Sequence, residues 1–210
     1  GYNPGVDGKV GTGYPSNTVL AQTFNKKLAI QWGVSYGSDC VSFNIASTWA
    51  PGTNIHRTPI GGRNFEYYSE DPILSGYIAA NTVAGAIKGN LAPYMKHFAL
   101  NECESGRYAC ATWLSEQTLR ETYLRPFQRA VQEENMTGIM SAFNRIGSIN
   151  CYYSYSLLTR ILRQEWGFKG VVITDYGCGN PTSLIRSGND LRFQGSVANR
   201  AELDENNAVD

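Results

Sequence analysis

The sequence predicts an α/β domain, a (β/α)8 TIM-type barrel of which this chain supplies a part. Strand-like apolar runs, loops and amphipathic segments alternate at least four times between Ser16 and Asp175. Such alternation calls for a parallel sheet covered by helices. Right-handed crossovers leave a closed barrel or an open doubly wound sheet as the two solutions. No G-x-G-x-x-G follows a strand-like run and no P-loop pattern occurs, so the fingerprints of the open nucleotide-binding sheet are missing. A complete barrel takes about 250 residues. This chain has 210, so a strand or more, the first included, is expected to be missing from a barrel domain over residues 1–198, with a polar tail at 199–210.

Taken in order, residues 1–15 are rich in Gly, Pro and Asn and read as loop. Ser16 is placed to cap a helix carrying Leu20, Phe24, Leu28 and Trp32 at four-residue steps, with Gly33 as its stop. Val41 to Trp49 reads as a strand closed by Ala50-Pro51-Gly52, followed by a polar, arginine-bearing loop from Asn54 to Glu66. Asp71-Pro72 is a cap followed by an N1 proline, and Ile73, Tyr77, Val83, Ala84 and Ile87 form one apolar side until Gly89-Asn90. Pro93 to Phe98 is the next strand, running into a polar stretch that ends at Arg107. A helix from about Ser115 carries Leu119, Tyr123, Phe127 and Val131, with Pro126 a kink unless the first turn lies later. Gly138 to Phe143 is strand, and Ser156 is placed to cap a helix bearing Leu157, Leu158, Ile161, Leu162 and Trp166 that ends at Gly167. Val171-Val172-Ile173 then reads as a buried parallel strand running into Thr174-Asp175-Tyr176-Gly177.

Bulk properties narrow the function. Eighteen Lys plus Arg balance eighteen Asp plus Glu, so no basic face advertises nucleic acid or an anionic membrane as partner. No apolar run reaches membrane-spanning length. The five cysteines are irregularly spaced without C-x-x-C, and His56 and His97 are the only histidines. Neither a disulfide framework nor a metal site is indicated, and free thiols fit a reducing, cytoplasmic compartment. The thirteen tyrosines and four tryptophans suit a core, and their flat faces also suit sugar rings.

The polar residues at strand ends carry the chemistry. Lys96 and His97 sit inside an otherwise apolar run, Arg57 and Arg63 follow one strand, Arg107 follows another, and Asp175 ends the last. Lys and His are seldom buried without partners. A snorkelling lysine, a satisfied core histidine and a helix-capping Asp175 are the bland alternatives. In a barrel these ends share one rim, so cations would ring one carboxylate. Such a ring is expected to lower the Asp175 pKa and keep it ionised, which suits a nucleophile better than a general acid. The proton donor is then expected elsewhere.

Three stretches carry a family resemblance. Arg57-x-Pro59-x-Gly61-Gly62-Arg63-Asn64-Phe65-Glu66-Tyr67-Tyr68-Ser69-Glu70-Asp71-Pro72 is one, and Lys96-His97-Phe98-Ala99-x-Asn101-x-x-Glu104-x-x-Arg107 is the second. The third runs from Leu157-Leu158 through Glu165-Trp166-Gly167-Phe168-x-Gly170 to Thr174-Asp175-Tyr176. In this order they resemble the N-terminal catalytic domain of glycoside hydrolase family 3, over roughly residues 10 to 195. The resemblance implies a retaining, exo-acting β-glycosidase of β-glucosidase type with Asp175 as nucleophile, working without cofactor or metal. It implies sugar-hydroxyl contacts from Arg63, Lys96, His97 and Arg107 in the −1 subsite, and Tyr176 against the sugar face. Glu66 and Glu70 are read as buttresses, Asp71 as a helix cap, Glu104 as standing behind the contacts, and Arg57 as structural. The resemblance also implies that the acid/base is not in this chain and comes from a second domain. Ala99-Leu100-Asn101-Glu102 fits the glucosidase and xylosidase side of the family better than the N-acetylglucosaminide branch.

Three departures from the family pattern bear on specificity. Gly1-Tyr2-Asn3-Pro4-Gly5 stands where Asp-Gly-Pro is usual, Phe143 where Tyr is common, and Tyr176 where Trp is usual. A β-xylosidase or arabinosidase of the same family is the nearest alternative. A non-catalytic sugar-binding fragment lacking the acid/base is the alternative from another class. A nucleotide-binding α/β protein has only fold-class analogy behind it.

Overall fold

The structure is a computed structural model that describes residues 11–193; Gly1-Tyr2-Asn3-Pro4-Gly5, the 198 boundary and the tail at 199–210 lie outside the described residues. Ser16 caps α1 (Asn17–Ala21), its Oγ accepting from the Val19 N–H at 3.4 Å. The single helix expected here is two. Phe24 turns left-handed at φ 51°, and Asn25 restarts the chain as α2 (Lys26–Ser42) by accepting from the Leu28 N–H at 3.1 Å. Gly33 does not stop α2. An added Cβ there would lie 2.3 Å from the Thr82 carbonyl oxygen, and one at Gly85 would lie 2.2 Å from the Ile30 oxygen. These glycines let α2 lie backbone to backbone on α3 (Pro72–Lys88), so their role is close approach, not termination. Because α2 runs on to Ser42, the strand expected from Val41 shrinks to β1 (Ser47–Thr48).

The start of α3 follows the sequence closely. Asp71 Oδ1 accepts from the Ile73 and Leu74 N–H groups at 2.6 and 3.0 Å, with Pro72 in the first turn, and Gly89 closes the other end. Next come β2 (Ala92–Phe98), β3 (Ala111–Thr112) and the single turn α4 (Glu116–Thr118), which leads into a widened π turn over Leu119–Tyr123. There the Leu124 N–H reaches back to the Leu119 oxygen at 2.9 Å. Pro126 sits in the first turn of α5 (Arg125–Glu134), where its missing N–H costs no hydrogen bond, so the second of the two expected outcomes applies. β4 (Gly138–Ser141) is followed by the short strands β5 (Arg145–Ile146) and β6 (Ile149–Asn150). A π-wound helix over Ser156–Glu165 comes next. Ser156 is its first residue and not its cap, and the Ser154 Oγ just ahead of the helix accepts from the Leu157 N–H at 3.2 Å. β7 (Val171–Thr174) and α6 (Pro181–Ser187) complete the described chain.

The strands β1-β2-β4-β7 lie side by side in that order, all parallel, and the Ile173–Leu191 bridge extends the sheet by one more parallel step. This is an arc of a (β/α)8-type barrel. A separate ribbon, β3-β5-β6, is built from the loops that follow β2 and β4. Met95, Ile139 and Val172, one from each neighbouring strand, are buried with Phe127, Leu158 and Leu162 from the helical layer. Register aligns Phe98 with Ser141 and Ser141 with Thr174, so the carboxyl ends of β2, β4 and β7 form one level rim. Among the described residues no helix is long and apolar enough to cross a membrane.

The close α2–α3 contact is testable in the full-length polypeptide. Gly33→Ala is expected to lower unfolding free energy by about 1–3 kcal/mol through overpacking. Gly13→Ala, whose Cβ would meet nothing within 4 Å, is expected to change it by about 0.5 kcal/mol or less. Equal denaturant midpoints for the two variants would contradict the packing role.

Candidate active site

Asp175 is the first residue past β7, at the rim. Its N–H donates to the Ser141 oxygen at 3.1 Å, and its Oδ1 accepts the Tyr176 N–H at 2.7 Å. Oδ2 faces His97 Nε2 at 3.9 Å. His97 is 2 % exposed, and its Nδ1 lies 3.4 Å from each of Tyr67 Oη, Asn54 Oδ1 and Asn101 Nδ2. With Nδ1 enclosed on three sides, Nε2 is the ring nitrogen presented to Asp175. Burial first, and then the charges of Arg63, Lys96 and Arg107, push His97 well below its ordinary 6.5. The imidazole is therefore neutral at pH 7, and its contact with Asp175 is not an ion pair.

The cations are tied together by two glutamates. Glu66 accepts from Arg63 Nε through Oε1 and holds Lys96 Nζ at 3.4 Å from Oε2. Glu104 holds Arg107 Nη1 at 2.9 Å and Arg63 Nη1 at 3.7 Å, and also accepts from Asn101 Nδ2 at 3.0 Å. Lys96, Glu66, Arg63, Glu104 and Arg107 thus form one chain of alternating sign. The two loops that carry it are joined by the Glu104 N–H, which donates to the Gly61 oxygen at 2.9 Å. A Cβ at Gly61 would lie 2.6 Å from the Glu102 oxygen, so only glycine permits that approach.

One electrostatic expectation is overturned. Burial raises the Asp175 pKa above its ordinary 3.8, against the pull of the Tyr176 N–H and of Arg107, Arg63 and Lys96. The cations act in the expected direction, and desolvation outweighs them.

Arg63, Lys96, His97, Arg107 and Asp175 do converge on one rim. Tyr176, 57 % exposed, lies at its side with its ring 5.3 Å from Phe193, which in turn meets Trp49 at 4.3 Å. Arg57 is exposed and takes no part in the alternating chain. Phe143 packs on Tyr108 at 4.8 Å and lies under the Arg107 guanidinium at 4.8 Å. Three residues beside the rim escaped the sequence reading: Asn54, Tyr67 and Glu102. Tyr67 is fully buried, with its hydroxyl donating to the Asn101 oxygen at 3.0 Å. Glu102 is fully buried as well, and burial pushes its carboxyl up to about 7. Nothing in the spacing separates Glu102 from Glu104, which stands two residues later and is partly exposed.

The parallel arc gathers its ionisable groups on the carboxyl rim, the end where barrel-type α/β domains place their sites. The Glycosyl hydrolase family 3 N terminal domain model matches residues 4–192. The chain belongs to that family. Beta-glucosidase A of Butyrivibrio fibrisolvens is 41 % identical over 187 residues, 89 % of this chain and 22 % of that protein. A beta-glucosidase of Kluyveromyces marxianus is 37 % identical over 183 residues, again 22 % of its length. Among solved structures, beta-glucosidase 3B from Thermotoga neapolitana in complex with glucose superposes with a TM-score of 0.89 at 36 % identity, covering 96 % of this chain and 30 % of that one. The GH3 beta-glucosidase of Bifidobacterium adolescentis gives 0.90 at 32 % identity, covering 94 % and 30 %. The chain therefore spans less than a quarter of the length of these curated relatives.

Glu102 has a predictable stability signature. A carboxyl whose folded pKa of about 7 exceeds its ordinary 4.5 carries no penalty below pH 4.5. The penalty grows as pH rises to 7 and stays constant above, because the unfolded chain releases the proton first. Glu102→Gln removes that penalty, so its gain in melting temperature over the parent is expected to be larger at pH 8 than at pH 4.5. An equal shift at both pH values would contradict the burial of an ionisable group there.

Proposed function

We propose that this chain is the nucleophile-bearing domain of a retaining, exo-acting β-glycosidase of β-glucosidase type, cleaving terminal non-reducing β-linked sugars. The observation that carries the reading is His97 Nε2 facing Asp175 Oδ2 at 3.9 Å beside a chain of cross-braced cations. Its relatives, β-glucosidases, one of them solved in complex with glucose, agree with it.

In this mechanism an Asp175 oxygen attacks the anomeric carbon, and a glycosyl–aspartate ester forms as the glycosidic C–O bond breaks. The departing oxygen takes a proton from an acid/base group. Water then attacks the same carbon and gives a proton to that acid/base group while the ester C–O bond breaks and frees the Asp175 carboxylate, so configuration is retained. Arg63, Lys96, His97 and Arg107 supply N–H donors to sugar hydroxyls, and Tyr176 offers an aromatic face. Among the described carboxylates near the rim, Glu66 and Glu104 are committed to ion pairs and Glu102 is sealed from solvent. We assign the acid/base to a second domain of the full polypeptide, as the family resemblance implies, and neither metal nor cofactor enters the steps.

Two outcomes test this in the full-length protein. Asp175→Ala is expected to lower kcat/KM on an aryl β-glucoside by about 10⁴-fold or more. Added azide should then restore turnover as the α-glycosyl azide, and undiminished hydrolysis would refute the assignment. Because burial raises the Asp175 pKa and the nucleophile must be deprotonated, the acid limb of kcat/KM is expected above pH 3.8. A limb at or below that value would show that the cations prevail over desolvation.

A further inference from the structure

Behind the rim lies a polar unit that the proposed chemistry does not use. Glu102 is 0 % exposed and is positioned through one oxygen: Oε1 accepts from Asn54 Nδ2 and from the Ile55 N–H, both at 3.3 Å, while Oε2 has no hydrogen-bond partner. Asn54 is equally buried and its amide is fully occupied. Its Nδ2 also donates to the His97 oxygen at 3.0 Å, and its Oδ1 accepts the His97 N–H at 2.8 Å and lies 3.4 Å from Nδ1. Asn54 therefore grips both backbone groups of His97 and touches its ring. Apart from His97, Glu102 is the only residue whose side chain bonds Asn54 among the described residues. Leaving such an amide half-satisfied in a dry interior is costly, so the unit has one arrangement.

We infer that Glu102 is a positioning residue of this site, acting through Asn54 to hold the His97 ring so that Nε2 faces Asp175 and the bound sugar. The inference rests on the glycosidase reading above. The charged and titratable groups facing Glu102 are few: Arg57 from the loop beside Asn54, Tyr67 from the chain ahead of α3, and Cys151 from beyond β6. The Cys151 thiol donates to the Ala99 oxygen at 3.3 Å, and Tyr67 is bonded to Asn101, so neither replaces Glu102 as the acceptor for Asn54. The acceptor oxygen, not the charge, is what the geometry requires. A glutamine keeps it and a methionine of similar size does not.

The test uses the full-length protein and a series of aryl β-glucosides each lacking one ring hydroxyl. In the parent, each missing hydroxyl is expected to lower kcat/KM, and His97→Ala is expected to abolish the penalty at the hydroxyl that His97 contacts. Glu102→Met is expected to lower kcat/KM on the intact glucoside about 10- to 100-fold, the range seen when a partner behind a site ligand is removed. It should shrink the penalty at that same hydroxyl alone. Glu102→Gln should keep both within about threefold, and the losses of Glu102→Met and Asn54→Ala should be non-additive when combined. If Glu102→Met does not fold, Glu102→Ala serves in its place with the same expectation. A loss spread evenly over all hydroxyls, additivity with Asn54→Ala, or parent-like behaviour of Glu102→Met would each overturn the role. If Asp175→Ala leaves hydrolysis intact, the underlying reading of the site fails. If Asp175→Ala abolishes hydrolysis while Glu102→Met discriminates like the parent, only the role of Glu102 fails.

Discussion

The alternating chain Lys96–Glu66–Arg63–Glu104–Arg107 is the constraint on which the rest of the rim depends. Three cations crowded beside one another would repel, and withdrawing each from water costs several kcal/mol unless it is paired. Interleaved carboxylates remove most of that cost while fixing the direction of each donor. One positive charge is left over, and the three cations pull the Asp175 pKa downward against the burial that raises it. The same arrangement explains why His97 is neutral: burial and three nearby cations all oppose a fourth charge. A neutral imidazole donates one hydrogen bond in a fixed direction, which suits an uncharged sugar hydroxyl.

The scaffold serves this chain by bringing loops from different strands to one level. Register places Phe98, Ser141 and Thr174 side by side, so a residue just past any of these strands arrives at the same height. Glycines without a Cβ allow the tight approaches on which this depends. Gly61 lets the arginine-bearing loop close on the backbone at Glu102, and Gly33 and Gly85 let the outer helix α2 lie flat on α3. Binding geometry and helix packing thus use one device at two depths. The buried Asn54–Glu102 pair extends the order of the rim inward, so that His97 is held from behind as well as from the side.

How far the sequence could be read follows from how local each cause is. Asp71-Pro72 announces α3 because a cap and an N1 proline act within one turn, and the apolar run before Asp175 announces β7 for the same reason. Gly33 misleads because its cause is the Thr82 carbonyl, forty-nine residues away in sequence and 2.3 Å away from its missing Cβ. Val41 looks like strand by type, yet Tyr36 and Cys40 anchor α2 in the core and carry the helix past it. That Arg63, Lys96, His97, Arg107 and Asp175 come together was legible because each stands at or just past a strand of the expected barrel, and the motif resemblance names the same five residues. The direction of the Asp175 pKa was not, because charge can be counted from a sequence and burial cannot. Glu102 was missed for that reason too: two glutamates two residues apart look alike until one of them is enclosed.

In the proposed mechanism Asp175 is half of a two-carboxylate device, the half that forms the covalent bond. The most direct measurement is trapping that bond in the full-length protein with a 2-deoxy-2-fluoro-β-glucoside bearing a good leaving group, followed by peptide mapping. The account predicts one equivalent of fluoroglucosyl mass on the peptide containing Asp175, with loss of activity at the same rate. Stoichiometric labelling of any other carboxylate, or inactivation with Asp175 unlabelled, would contradict it.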